Sequence, residues 1–300
     1  MNPVWHEIFE AVRSETGVNF SGAVPRSVGG GCINASYVVK SGRPEESIFV
    51  KLNDASKIGM FESEFLALEE IAATRTIRVP KPIASGSNHS QAWIAMESIE
   101  LVSRSDEASQ AEMGRRLAMM HRYQSPEGKF GWHRENVIGE TPQQNPWTDS
   151  WAEFFAQHRL AFQFRLAEKR LGKEMKGATK LIARVPDLLG DHDPEPSLLH
   201  GDLWGGNAAF DASSGDPVLF DPATYYGDRE TDLAFTEFFG GFGPTFYAAY
   251  EEEFPPAPGA ADRASLYNLY HVLNHFHLFG GGYGSQARGI VQQLLARKIE

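Results

Sequence analysis

The chain has 300 residues, 42% hydrophobic and 22% charged, as in an ordinary soluble globular protein with ample core for two domains or one large bilobal one. Its net charge of −11 argues against nonspecific binding to nucleic acid or to an anionic membrane, both of which need surplus Lys and Arg. No stretch approaches the roughly 18 apolar residues of a membrane span, the opening Met1-Asn-Pro-Val-Trp-His-Glu7 lacks a signal-peptide layout, and the single cysteine cannot close an internal disulfide, so a cytoplasmic protein is expected.

In chain order, residues 21–51 read as a Gly-rich turn, Gly29-Gly30-Gly31, set among strands, with 36–39 and 47–51 extended. Residues 58–73 are helical, with Ile58, Phe61, Phe65, Leu68 and Ala72 on one stripe, and Val79-Pro-Lys-Pro82 ends that segment. A short apolar strand at 91–96 is followed by a polar stretch that marks a boundary between lobes, giving expected domains 1–97 and 98–300. Ser109-Gln-Ala-Glu112 reads as a capping box opening a helix through Met113, Leu117 and Met120. Further helices are expected at 148–171, 178–188, 246–253 and 261–279. A β-rich first third and a helical remainder make an α+β chain with a small β-rich lobe and a larger, mainly helical one.

The most informative stretch is Leu198-Leu-His-Gly-Asp202-Leu-Trp204-Gly-Gly-Asn207, followed by Val218-Leu-Phe-Asp221-Pro222. Asp202 can orient a hydroxyl and accept its proton, Asn207 offers a neutral side-chain oxygen, and Asp221 supplies a carboxylate. The segments 208–210 and 218–220 around the polar turn 211–216 read as a hairpin that would bring Asn207 and Asp221 side by side. An Asp, an Asn five residues later and a hairpin-borne Asp form the catalytic-loop and metal arrangement of protein-kinase-like enzymes.

Lys51 ends an apolar strand in this reading, where its ammonium could neutralise phosphates. At 100° per residue, Glu64 falls on the apolar stripe of the following helix, while Glu62, Glu69 and Glu70 point away. A carboxylate on a buried stripe needs a partner, and Lys51 is the one the sequence offers. Gly29-Gly-Gly-Cys-Ile-Asn34 suits a loop whose backbone N–H groups approach a phosphate, although it matches neither the Walker pattern nor a clean G-x-G-x-x-G. Cys32 in that loop is a candidate redox-sensitive thiol able to link two chains. His271 and His275 stand i, i+4 with His277 nearby, but without the glutamate of H-E-x-x-H they read as structural histidines. Asp228 and Asp232 read as helix-capping or loop-holding carboxylates.

With these residues in view, the chain resembles the fructosamine kinase (ketosamine-3-kinase) family, a branch of the protein-kinase-like fold related to aminoglycoside phosphotransferases. The blocks that carry the resemblance are Gly29-Gly-Gly-Cys32, Phe49-Val-Lys51, Met60-Phe-Glu-Ser-Glu64, Gly131-Trp-His133, Ile138-Gly-Glu-Thr-Pro-Gln143, Trp151-Ala-Glu-Phe-Phe155, His200 to Asn207, Asp221 to Asp228 and Phe239-Gly-Gly-Phe242. Trp204 and the Pro-Ala after Asp221 set it apart from aminoglycoside and choline kinases. Gly201 stands where protein kinases carry the catalytic-loop arginine, and no Ala-Pro-Glu follows, so activation-loop control is not implied.

The resemblance implies ATP-dependent phosphorylation of the sugar 3-hydroxyl of a ketosamine, free or on a protein. Asp202 would be the base, and Asn207 and Asp221 would hold Mg²⁺. Lys51, Glu64, Gly30 and Gly31 would position ATP, Glu97, Ser98 and Ile99 would form the adenine-binding linker, and Trp204 would offer a flat face to the substrate. A kinase for another amine-bearing small molecule, such as an aminoglycoside or choline, and a nucleotide-binding protein without transfer activity are the alternatives. The presence of Lys51, Glu64, Asp202, Asn207 and Asp221 together argues against the second, since a pure binder has no use for a base.

Overall fold

The computed structural model describes residues 3–29, 33–43 and 46–298. Gly30, Gly31 and Cys32, the phosphate-loop and thiol candidates, lie outside them. The chain forms two compact units, one of residues 1–105 and 208–222, the other of 106–207 and 223–300. The division expected after residue 97 thus falls after Ser105, and the hairpin segment joins the first unit. No helix among the described residues is long and apolar enough to cross a membrane.

The first unit opens with α1 (Pro3–Thr16), whose Val4, Trp5, Ile8, Phe9 and Val12 repeat at helical spacing and are buried. Then come β1 (Arg26–Val28), β2 (Ala35–Lys40) and β3 (Ser47–Asp54). After a single 3₁₀ turn follow α2 (Ile58–Thr74), β4 (Pro82–Ser87), β5 (Gln91–Glu97) and the short β6 (Leu101–Val102). The five-stranded sheet runs β1-β2-β3-β5-β4, with every neighbouring pair antiparallel. One core joins the apolar face of α1 to Val39, Ile48, Val50, Leu52, Trp93 and Ala95.

Two expectations for this unit need correction. Lys51 does not end its strand. β3 continues through Asp54, with Leu52 opposite Trp93, because Leu52 adds to the buried sheet face. The buried face of α2 is also rotated from the apolar stripe read in the sequence: it carries Phe61, Ser63, Glu64, Ala67, Leu68, Ile71 and Thr74, while Ala72 is exposed. A stripe chosen on hydrophobicity alone gives no weight to a buried carboxylate or hydroxyls.

The hairpin is present, pairing strands Ala208–Asp211 and Pro217–Leu219 with Ala208 opposite Leu219. Its turn is closed by Asp211, whose carboxylate accepts the Ser213 N–H at 2.7 Å and hydroxyl at 2.6 Å, and by Gly215 at φ 80°. It docks on both sides. Phe210 and Asp211 pair with β6, and the Leu219 N–H donates to the Arg78 carbonyl at 2.9 Å.

The second unit is mainly helical. α3 (Glu107–His121) is capped by Asp106, whose carboxylate accepts the Ser109 N–H, so Ser109 is not the cap and the helix starts earlier than the capping-box reading. A small hairpin of β7 (Asn136–Ile138) and β8 (Thr141–Gln143) follows. The helix expected at 148–171 is a run of α4 (Trp151–Phe154), a π-helical segment Phe155–Ala161 and α5 (Phe162–Leu171), capped at Ser150. The one expected at 178–188 is split into α6 (Ala178–Ala183) and α7 (Val185–Leu189), with Pro186 at the start of the latter. β9 (Ser197–Leu199) pairs antiparallel with a strand at Tyr225–Gly227. The remaining helices are α8 (Glu230–Phe239), α9 (Pro244–Glu253), α10 (Ala260–Phe279) and α11 (Tyr283–Ala296).

Candidate active site

In the first unit the folded chain brings together Lys51, Glu64 and Asp221. Lys51 lies on β3 opposite Ile94, is 5% exposed, and donates to Glu64 Oε1 at 2.5 Å and to Asp221 Oδ1 at 2.6 Å. Burial alone would lower the ammonium pKa, but the two carboxylates outweigh it and hold the group above its ordinary value. Burial pushes the Glu64 carboxyl up, against the pull of Lys51. Asp221 is different: its side chain is half-exposed and its backbone sits at φ 59°, a left-handed conformation uncommon for a residue with a side chain. Lys51 is a buried cation with one buried and one accessible counter-charge.

Glu97 does not join this group. Its carboxylate accepts from Arg78 Nη2 at 2.6 Å and from the Lys81 N–H at 3.3 Å, at the end of β5. Arg78 Nη1 donates to Asp211 on the hairpin. Arg78 therefore ties the end of β5 to the hairpin that leads into Asp221, a link no local sequence signal announces. Ser98 and Ile99, next along the chain, are partly exposed.

In the second unit Asp202 and Asn207 lie in one loop. The Asn207 carboxamide nitrogen donates to the Asp202 carbonyl at 2.9 Å and to its Oδ2 at 3.3 Å. The Asn207 N–H closes a turn onto the Trp204 carbonyl at 2.9 Å. Trp204 is 40% exposed, with its ring over Gly206, where any Cβ would lie 2.3 Å from the indole. It is not a core tryptophan. Gly205 packs backbone to backbone against Gly241, and its N–H donates to the Gly240 carbonyl at 3.1 Å, so Phe239-Gly-Gly-Phe242 braces the loop.

The start of this loop is fixed by Asp232 on α8. Its carboxylate accepts the backbone N–H groups of His200 at 2.8 Å and Gly201 at 2.9 Å, and it pairs with the buried His121 at 3.2 Å. Burial works against the charge on Asp232, but the His121 and Gly201 bonds hold its pKa below the ordinary carboxyl value. Asp228 caps instead: its Oδ1 accepts the Glu230 N–H at 3.0 Å, while Oδ2 meets Tyr267 Oη at 2.5 Å and His192 Nε2 at 2.7 Å. Gly201 adopts φ 83°, and a Cβ there would lie 2.1 Å from the Ala223 carbonyl oxygen. This crowding explains why no arginine stands at that position. His271 is buried and stacked on Phe235 at 3.7 Å, and His275 stacks on Phe239 at 4.7 Å, the structural roles expected of them.

A family model described as fructosamine kinase matches residues 4–297. The chain belongs to the fructosamine kinase family. It is 49% identical over 291 residues to the protein named "Probable ketoamine kinase" in Synechocystis sp., covering 97% of each chain. A crystal structure of a Haemophilus somnus protein carrying the fructosamine-3-kinase designation matches with a TM-score of 0.89 at 27% identity, over 97% of each chain. An aminoglycoside phosphotransferase structure matches at TM-score 0.61 and 14% identity over 97% of each chain, which shows a shared kinase-like α+β fold.

Proposed function

We propose that this fructosamine kinase family member transfers the γ-phosphoryl group of ATP to the 3-hydroxyl of a ketosamine. The observation that carries the reading is the buried Lys51, held by Glu64 and Asp221 in a form suited to phosphate charge. Asp202 accepts the proton of the sugar 3-hydroxyl as that oxygen bonds to the γ-phosphorus and the bond to the ADP oxygen breaks. The products are ADP and a 3-phosphoketosamine. Phosphate on the carbon next to the ketosamine carbonyl is a leaving group, so the product decomposes and releases the amine.

Asn207 Oδ1 and the Asp221 carboxylate are hard oxygen donors of the kind Mg²⁺ takes, and the Asn207 amide nitrogen is already committed to Asp202, so the donor set fits that ion. When bound, Mg²⁺ neutralises charge on the phosphate oxygens. The backbone of Glu97, Ser98 and Ile99 is the linker assigned to the adenine, while the Glu97 carboxylate is taken up by Arg78 and Lys81. The exposed Trp204 presents its indole to the sugar or to the attached amine.

The test is ATP consumption with synthetic fructosamine and ribulosamine against a panel of aminoglycosides and choline. Turnover with the ketosamines is expected. Turnover only with the other acceptors would overturn the substrate assignment.

A further inference from the structure

Behind the loop that carries Asp202, the second unit contains a chain of buried polar side chains that the catalytic roles above do not use. Arg159, on the π-helical segment, is fully buried and lies over the rings of Phe154 and Tyr225, at 4.5 and 4.0 Å from their centroids. Its Nη1 donates to the Gln144 carbonyl at 2.6 Å and its Nη2 to Asn145 Oδ1 at 2.7 Å. A guanidinium has only donors, so the Asn145 oxygen must face it and the Asn145 nitrogen must face away. That nitrogen donates to Asn136 Oδ1 at 2.8 Å, which in turn aims the Asn136 nitrogen at the Thr224 carbonyl, 2.7 Å away.

A second branch starts at Tyr270 on α10, whose hydroxyl donates to Gln143 Oε1 at 2.6 Å. Burial keeps this phenol protonated, against the pull of Arg159. The Gln143 nitrogen then faces outward and donates to Asn136 Oδ1 at 2.9 Å and to the Ala223 carbonyl at 3.0 Å. Both branches therefore run in one direction, from fixed donors to the carbonyls of Ala223 and Thr224. Those two residues follow Asp221-Pro222 in the chain. The Ala223 N–H donates to the His200 carbonyl at 2.9 Å, and its carbonyl is the group that crowds Gly201. Ala223 is thus bonded to His200, two residues before Asp202.

We propose that Gln143 is a positioning residue for phosphoryl transfer: its carboxamide, oriented by Tyr270, holds the Ala223 carbonyl and so sets the backbone of His200-Gly201 that presents Asp202. The inference rests on the kinase reading given above. Gln143 touches neither ATP nor acceptor in this assignment, and it acts through Ala223.

The experiment compares wild type, Gln143→Met and Gln143→Glu for ketosamine turnover, together with ATP Kd and binding stoichiometry by calorimetry. Methionine keeps the volume and glutamate the shape, and an ionised glutamate, like methionine, offers no donor to Ala223. A fall in kcat of tenfold or more is expected in both, with ATP Kd within twofold, full stoichiometry, and a loss that persists on cooling well below the melting temperature. A loss of structure alone would lower the stoichiometry and recover on cooling, and that pattern would overturn the inference. Tyr270→Phe, which removes one hydroxyl, is the second variant should the Gln143 changes prevent folding. A several-fold fall in kcat at full ATP stoichiometry supports the inference, and a wild-type kcat overturns it. Wild-type enzyme without ketosamine turnover would overturn both the reading and this inference. Active wild type with an unaffected Gln143→Met would overturn the inference alone.

Discussion

Lys51 Nζ lies 2.5 Å from Glu64 Oε1, and both side chains are buried. Breaking a buried pair by removing one partner costs on the order of 3–5 kcal/mol, because the remaining charge stays uncompensated. Lys51→Met, which strands Glu64, is expected to lower the melting temperature and to remove at least about a hundredfold of kcat/KM for ATP. Glu64→Gln leaves Lys51 with Asp221 and a neutral hydrogen-bond partner, so its effect is expected mainly in a raised KM for ATP. Thermal melts and ATP titrations of the two variants check this order.

Gly201→Ala forces a side chain into left-handed backbone and against the Ala223 carbonyl oxygen, 2.1 Å from the new Cβ. Together the strain and the clash should cost about 3 kcal/mol or more. The loop must shift to relieve them, and kcat should fall well beyond the loss of folded protein. Denaturant midpoints and turnover, measured together, read both effects. Unchanged turnover would show that the Gly201–Ala223 approach is not needed.

The pH dependence of stability should carry the mark of His271. Burial, with the neighbouring His275 adding, pushes this imidazole down to about 3 from an ordinary 6.5. The folded pKa lies below the unfolded one, so the unfolded chain binds more protons between those values. The stability difference is therefore fully present above pH 6.5 and is lost as pH falls toward 3. At pH 4.5 this one group accounts for a loss of about 2–3 kcal/mol. Urea unfolding at pH 7.5 and 4.5 should show a smaller difference in His271→Gln than in wild type. An equal difference in the two proteins would contradict the assignment.

Much of this was legible in local sequence. The spacing of Asp202, Asn207 and Asp221 and the residues of the hairpin were readable because each is set by neighbours in the chain. The Lys51–Glu64 pair was readable because a carboxylate on a buried helical face has few ways to be satisfied. α1 carries an amphipathic pattern in Val4, Trp5, Ile8, Phe9 and Val12 that local spacing alone makes legible. The start of α3 is ambiguous in sequence because Asp106 and Ser109 are both acceptable caps, and only the bond from the Ser109 N–H to Asp106 decides between them. The carboxamide chain through Asn136, Gln143 and Asn145 has no comparable signature. It reaches Ala223 and Thr224 across more than 75 residues, and its direction is set by Arg159 and Tyr270, which are remote in sequence.

The most direct test of the central claim is the turnover of Asp202→Asn with a ketosamine acceptor, measured beside its affinity for ATP. A base acts mainly in the transition state, so kcat should fall by at least a hundredfold while ATP Kd stays within about twofold. Wild-type turnover by Asp202→Asn would contradict the role of Asp202 and with it the proposed site.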